Sequence, residues 1–442
     1  MAAVMANATS HGLPPLPQYT LVPRPSIISG VPDYFLQLIA PVIAYWVVST
    51  LFHILDSYDL FAQYRLHTPA EVLKRNHVTK FEVIRDVVLQ QVIQTIFGLV
   101  MAAWDPVEMT GKDDYNIAVW SRRLRICQTY LPQTLAWVGM DAMKLSKQLQ
   151  TSYPTISNIL SGAHYPFSGF ASWEALAAKV IYHGLIPFFQ FSIAIFMVDT
   201  WQYFIHRGMH MNKFLYTTLH SRHHRLYVPY AFGALFNHPL EGLLLDTLGC
   251  GLAYLATGMS IRQGMWFFTC STIKTVDDHC GYAFPWDPLQ HITSNNAAYH
   301  DVHHQSWGVK TNFSQPFFTS WDHWLGTVWQ GGDVSARYQR DRMAAQKKVD
   351  ADKTSIDSSV INCPAVDPEK AKRQAAAGKA QVLNDKEGGG RRVLEEEKCE
   401  EQDAKETLRR SARRKTSSWS DCVAGSLHGR GTPLLHDAVG SR

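Results

Sequence analysis

Cysteine is sparse in this chain and forms no framework. The seven present, Cys127, Cys250, Cys270, Cys280, Cys363, Cys399 and Cys422, are scattered and odd in number. That argues against a disulfide scaffold and fits a working face in a reducing compartment. A secretory leader is also missing. Pro14, Pro15, Pro17, Pro23 and Pro25 crowd the first 32 residues, and no basic stretch precedes an apolar core. Nor is there an excess of charge of one sign. A formal charge of +4 over 442 residues offers no strong basic field, so no nucleic-acid partner is expected. No repeat of 20 to 50 residues recurs, so the chain is not a repeat array. Finally, there is no H-P-G-G haem motif and no flavin or nicotinamide signature. Electrons for any redox step must then come from a separate protein.

What is present is first a set of long apolar runs. Tyr34 to Leu55 and Val180 to Val198 contain no Asp, Glu, Lys or Arg, and about 20 such residues span a bilayer as a helix. Val87 to Trp104 is interrupted by three glutamines. Leu243 to Thr257 and Met265 to Val276 are shorter, and a polar-leaning stretch beginning at Gly258 separates them. Together they read as a hairpin that dips into the bilayer, or crosses it and returns. Asp246 and Lys274 within it would be costly against lipid, so both should face protein or the membrane boundary. The mean hydropathy of -0.15 conceals these runs because a long polar tail dilutes them.

The expected fold is an all-α integral membrane protein with about four transmembrane or hairpin helices. Its expected organisation is a Pro-rich segment at 1–32, anchoring helices and connections at 33–198, a histidine-rich region with the hairpin at 199–332, and a charged tail at 333–442. The tail composition cannot bury enough apolar surface to order itself. Disorder is therefore expected from about residue 340, with at most some helix between Tyr338 and Asp350. Ahead of the second run, Thr68 should cap a helix, with Pro69 at its first position and Glu71 completing a capping box.

The second feature is histidine. Of 20 histidines, 11 lie between positions 206 and 304. They form three boxes: His206 and His210 in H-R-G-M-H, His220, His223 and His224 in H-S-R-H-H, and His300, His303 and His304 in H-D-V-H-H. Residues three and four apart share a helix face, so each box can aim its imidazoles at one point. One four-coordinate site cannot use eight ligands, and two metal ions side by side are expected. Imidazole suits zinc, copper, iron and nickel alike.

Dinuclear hydrolytic sites usually add carboxylate bridges, whereas these boxes are nearly pure histidine at a membrane surface. That combination points to oxidation of a lipid C–H bond by activated oxygen. The even number of apolar segments between the second and third boxes returns the chain to the side it left. A histidine-rich metal transporter is the reading from another class, but its histidines should lie inside the apolar runs and these follow them. Asp199, Asp278 and Asp301 are candidates to hold the far N–H of a metal-bound imidazole. Asn296 could supply an oxygen ligand or merely cap a helix. His291 and His323 lack box spacing, and His53, His67, His77, His164 and His183 are isolated; none is expected to be a ligand.

The pattern H-x3-H, H-x2-H-H, H-x2-H-H resembles the fatty acid hydroxylase superfamily of membrane oxygenases. The stretches YRLHTPAEVLKRN (64–76), FNHPLEGLLLDTLG (236–249), DDHCGY (277–282) and YHDVHH (299–304) look most like fungal sphinganine C4-hydroxylases. The likeness covers residues 30 to 330. It implies a multi-pass enzyme of the endoplasmic reticulum with a di-iron cap facing the cytosol. It also implies O2 as co-substrate, and electrons from NAD(P)H through cytochrome b5 and its reductase. The lipid substrate, sphinganine or dihydroceramide, would enter from the bilayer and leave as a phytosphingosine-type base. The eight box histidines carry over as iron ligands, His279 as a further one, and His238 as a ligand or its support. One departure is Ala283, where some members place another histidine. A sterol desaturase or sterol C4-methyl oxidase would share the same boxes.

Overall fold

The computed structural model describes residues 13–161 and 169–361, with side chains to residue 354. In chain order, the helices that build the site are α1 (Asp33–Ser57), α2 (Pro69–Arg75), α3 (Lys80–Ala102), α4 (Asp113–Trp137), α5 (Ser172–Met211), α6 (Pro239–Thr257), α7 (Ile261–Asp278), α8 (Ala297–His304) and α9 (Ser335–Ile361). Strand is confined, among the described residues, to a two-residue antiparallel pairing of Val22–Pro23 with Met109–Thr110 and isolated bridges. The chain is a helical membrane protein.

Among the described residues, α1, α3, α5 and α6 are long and apolar enough to cross a bilayer. Their side chains are sorted in reverse of a soluble protein. On α1, Ile39, Ile43, Val47 and Leu51 form an exposed stripe at four-residue spacing, while Gln37, Tyr45 and Ser49 are buried. On α3, Leu89, Val92, Ile96 and Val100 are exposed, whereas Gln90 and Gln91 are buried. Gln91 accepts a hydrogen bond from Trp46 Nε1 at 2.9 Å. Two of the three glutamines that interrupt the Val87 to Trp104 run therefore face protein, and Gln94 is half-buried, so the lipid-facing side stays apolar. The helix begins at Lys80, earlier than its apolar run, because Thr79 and Glu82 form a capping box there. The expected box of Thr68 and Glu71 at the start of α2 is present as well.

The hairpin is α6 followed by α7. Gly258, at φ +61°, ends α6 in the left-handed conformation that glycine adopts without strain. Ser260 and Gln263 then cap α7. The returning helix packs along α1, and α6 packs on α5. Lys274 is buried but paired with Asp278, and it donates to the Asn295 carbonyl. It faces protein, as its cost in lipid requires.

The charged tail departs from expectation in part: helix was expected between Tyr338 and Asp350, and it runs beyond both ends. A continuous helix, α9, runs from Ser335 to Ile361 and packs on α2. Composition argued for disorder, but the charges of α9 find opposite partners on α2. Asp341 meets Arg75 at 3.3 Å, Asp352 pairs with Lys74, and Arg342 lies 3.7 Å from Glu71. Tyr338 donates its hydroxyl to Asp301 at 2.6 Å, inside the third box. The remainder of the expected tail, with its basic run Arg409–Lys415, and the Asn7 glycosylation motif lie outside the described residues.

Ending the chain after residue 361 should therefore spare the packed body. Ending it after residue 334 strips Asp301 and Arg75 of partners, at a cost on the order of 2 kcal/mol or more. Thermal unfolding of the purified proteins checks this: the shorter chain should melt lower, and identical melting would show that α9 contributes nothing.

Candidate metal centre

Each box is delivered by a different local structure. Helix α5 continues beyond its apolar section and carries His206 and His210 one turn apart near its end. Asn212 then caps a short helix, accepting from the Phe214 and Leu215 N–H groups. It hands the chain to a 3₁₀ turn, His220–Arg225, that presents the second box. The third box lies on α8, capped by Asn296, whose side chain accepts from Tyr299 N. Asn296 is thus a cap rather than an oxygen ligand. His279 ends α7.

The structure brings nine of these histidines together, all buried, in two adjoining groups. His206, His210, His220, His224 and His303 form the first; His223, His279, His300 and His304 form the second. Within each group the available ligand atoms lie within 4.8 Å of one another. The boxes do not each aim at one point, as spacing alone suggested. Pairs four apart (206/210, 220/224, 300/304) stay together, whereas His223 and His303 cross to the other group. Neighbours at i+3 and i+4 flank a helical face on opposite sides, so a box placed between two sites divides.

Hydrogen bonding then fixes where the lone pairs point. His206, His223, His279, His303 and His304 direct Nδ1 at the carbonyl oxygens of Phe313, Phe236, Thr275, Thr311 and Leu226, at 2.7–3.1 Å. A carbonyl only accepts, so each Nδ1 carries the proton and Nε2 is left as a lone pair. Nε2 atoms converge within both groups. His206 and His220 are 3.0 Å apart, His220 and His224 3.0 Å, His279 and His300 3.0 Å, and His300 and His304 3.2 Å.

Burial, and then the neighbouring imidazoles, hold His220, His224, His300, His303 and His304 well below the usual histidine range. The same causes bring His223 to about 3, and burial brings His279 to about 4. The rings are therefore neutral. The Nε2 lone pairs of His206 and His220 face each other and cannot bond, since both Nδ1 atoms are held by acceptors, but a cation between them satisfies both. The His303 Nε2, buried with no partner, makes the same demand. The donor set fits a metal ion in each group.

One further residue escaped the sequence. Glu241 is buried and accepts from His220 Nδ1, the carboxylate-to-imidazole support that metal sites use. Its only sequence signal was its place in the short N-H-P-L-E turn. The carboxylates expected in that role do other work. Asp199 accepts from the Phe317 and Phe318 N–H groups, and Asp278 is held by Lys274 and Asn295. Asp301 binds His67, Tyr338 and Gln305.

His238 is a correction: it belongs to neither group. Its Nδ1 instead accepts from Leu240 N at the start of α6. His291 and His323 are exposed. His67 is buried between two carboxylates, Nδ1 on Glu71 at 3.0 Å and Nε2 on Asp301 at 2.8 Å. Burial alone would lower its pKa, but Asp301 and Glu71 outweigh that and raise it to about 9, so it braces box three as a cation.

Beside the histidines is a chamber of about 20 Å³, room for a water or a diatomic gas but not for a lipid. His220, His223, His279 and His300, drawn from both groups, line it. A larger cavity of about 300 Å³ adjoins it, walled mainly by apolar residues of α1, α3, α6 and α7. Gln202, Asp246, Thr275 and Pro316 line both spaces and so stand where the two adjoin.

Comparison with known proteins places this arrangement. The fatty acid hydroxylase family model matches residues 191–327. The sphingolipid C4-hydroxylase of Saccharomyces cerevisiae is 40% identical over 357 residues, covering 76% of this chain and 88% of its own length. That of Schizosaccharomyces pombe is 42% identical over 71% of this chain and 94% of its own length. Sphinganine C4-monooxygenase 2 of Arabidopsis thaliana is 40% identical over 67% of this chain and 88% of its own length. No solved structure matches the chain. Relatives this similar, aligned over nearly nine-tenths or more of their own length, show that the chain belongs to the fatty acid hydroxylase family and is a hydroxylase.

Proposed function

We propose that this enzyme hydroxylates C4 of sphinganine or dihydroceramide to give phytosphingosine-type bases. The observation that carries the reading is nine buried imidazoles in two groups at the inner end of an apolar cavity. Relatives named for C4 hydroxylation supply the substrate. The metals are a pair of iron ions, which supply oxygen activation when bound. The chain's own contribution is to hold the Nε2 lone pairs of His206, His220, His223, His279, His303 and His304 in place through an anchored Nδ1, and to bury the centre away from bulk water. One C–H bond becomes C–OH, the second oxygen atom leaves as water, and two electrons and two protons are consumed.

The electrons come from NAD(P)H through cytochrome b5 and its reductase, since the chain carries no redox motif of its own. That donor places the histidines on the cytosolic face of the endoplasmic reticulum. With α1, α3 and α5 crossing before His210, the N-terminal segment is then lumenal. The test is expression in a yeast lacking its own C4-hydroxylase, with long-chain bases and sterols measured by mass spectrometry. Restored phytosphingosine is the expected result. A changed sterol profile without it would transfer the assignment to the sterol-oxidising branch.

A further inference from the structure

The chamber at the histidines is too small for a lipid, so the carbon to be oxidised must stop at its mouth. Among the four residues there, Gln202, Asp246, Thr275 and Pro316, only Asp246 is ionisable. Its Oδ1 has one long contact, 3.4 Å from Gln202 Nε2, and its Oδ2 is buried with no hydrogen-bond partner. No lysine, arginine or histidine forms an ion pair with it among the described residues. The carboxylate does not sit on a regular helix. It lies in a π-helical turn, Leu243–Leu248, where the widened ring interrupts α6. Single π-turns inside α-helices are frequent at functional sites. Asp105, the other carboxylate lining the larger cavity, is exposed at the surface.

A carboxyl group buried beside an apolar space stays ionised at low cost only where a cation meets it, and otherwise takes up a proton. This chain provides none, so the ligand must. Resting on the function proposed above, we infer that Asp246 receives the 2-ammonium group of a free long-chain base. The preferred substrate is then the unacylated amine rather than its N-acyl derivative. The chemistry is consistent in scale. The amine is two carbons from C4, so if C4 stands at the mouth the ammonium must reach the residues lining it. The remaining alkyl chain lies in the larger cavity. Acylation removes the positive charge and would leave Asp246 without a partner. Asp246 is in this sense a specificity-determining residue, set apart from the imidazoles.

The test compares binding of radiolabelled sphinganine and N-acetylsphinganine to the purified, metal-loaded protein, with hydroxylation of each assayed separately. Wild type should bind the amine about tenfold or more tightly than the amide, the scale of a charge-assisted hydrogen bond. Asp246→Asn should erase that preference with metal content unchanged, and Asp246→Glu should restore part of it. A merely structural role would weaken both ligands alike and leave their ratio intact. Equal binding of the two ligands by wild type, which needs no variant to fold, would overturn the inference. So would a preference that survives in Asp246→Asn. If the amine binds selectively but is not hydroxylated at C4, the proposed function fails and the inference stands. Binding of neither ligand would overturn both.

Discussion

Replacing either His223 or His303 with alanine is expected to abolish hydroxylation while the protein remains inserted in the membrane. The two residues serve different groups, so each variant damages a different metal position. Substitution of ligands from within the remaining set is blocked. The imidazoles beside the gap are tied through Nδ1 to backbone carbonyls on other segments and cannot swing without moving them. Removing His223 reduces a four-histidine group to three, so its metal loss should be the more complete, whereas His303 leaves four behind. His238→Ala is the contrast, because that ring only caps a helix, and its metal content should match wild type. Metal analysis and product formation on the same preparations check all three. Substantial activity in both His223→Ala and His303→Ala would refute the two-metal centre.

The second large effect should come from a residue that binds no metal. Glu241→Ala removes the acceptor of the His220 Nδ1 proton inside a dry site. The ring is then free to change tautomer and turn, and loss of such a support costs roughly 10- to 100-fold in metal affinity or activity. Glu241→Gln keeps one acceptor oxygen for the His220 Nδ1 proton but turns an amide NH2 toward the His238 N–H, so it should fall between wild type and the alanine variant. If alanine and glutamine behave alike, the side chain acts through packing and not through the imidazole. Raised metal concentration should partly rescue the alanine variant, since a weakened site refills by mass action.

The membrane helices were legible because lipid imposes one simple demand, an apolar run of sufficient length. Even the glutamine-broken run proved to be part of such a helix, its polar residues turned inward on α3. The histidines were legible as one site because so many of them fall in so short a span. Their division was not legible. Whether His223 joins His220 or His279 depends on how a 3₁₀ turn packs against the end of α7, and box spacing carries no record of that. Glu241 was invisible for a related reason: it meets His220 from 21 residues away, within a turn that reads as an ordinary helix start. Helix α9 is the clearest failure of composition. Lys74 and Asp352 are 278 positions apart, and only the fold shows that charges looking solvated along the chain are complementary across it.

The larger cavity is walled by residues of α1, α3, α6 and α7, with Gln202 of α5, so all four helices fit to cross the bilayer contribute to it. A lipid reaching it moves laterally in two dimensions and need not pass through water. Turnover should then follow the mole fraction of substrate among the surrounding lipids and not its amount per volume of medium. Adding inert phospholipid at constant substrate would slow the enzyme by surface dilution. Other slender, single-chain amphiphiles in the same leaflet would compete for entry, which ties the rate of this reaction to the composition of the membrane that houses it.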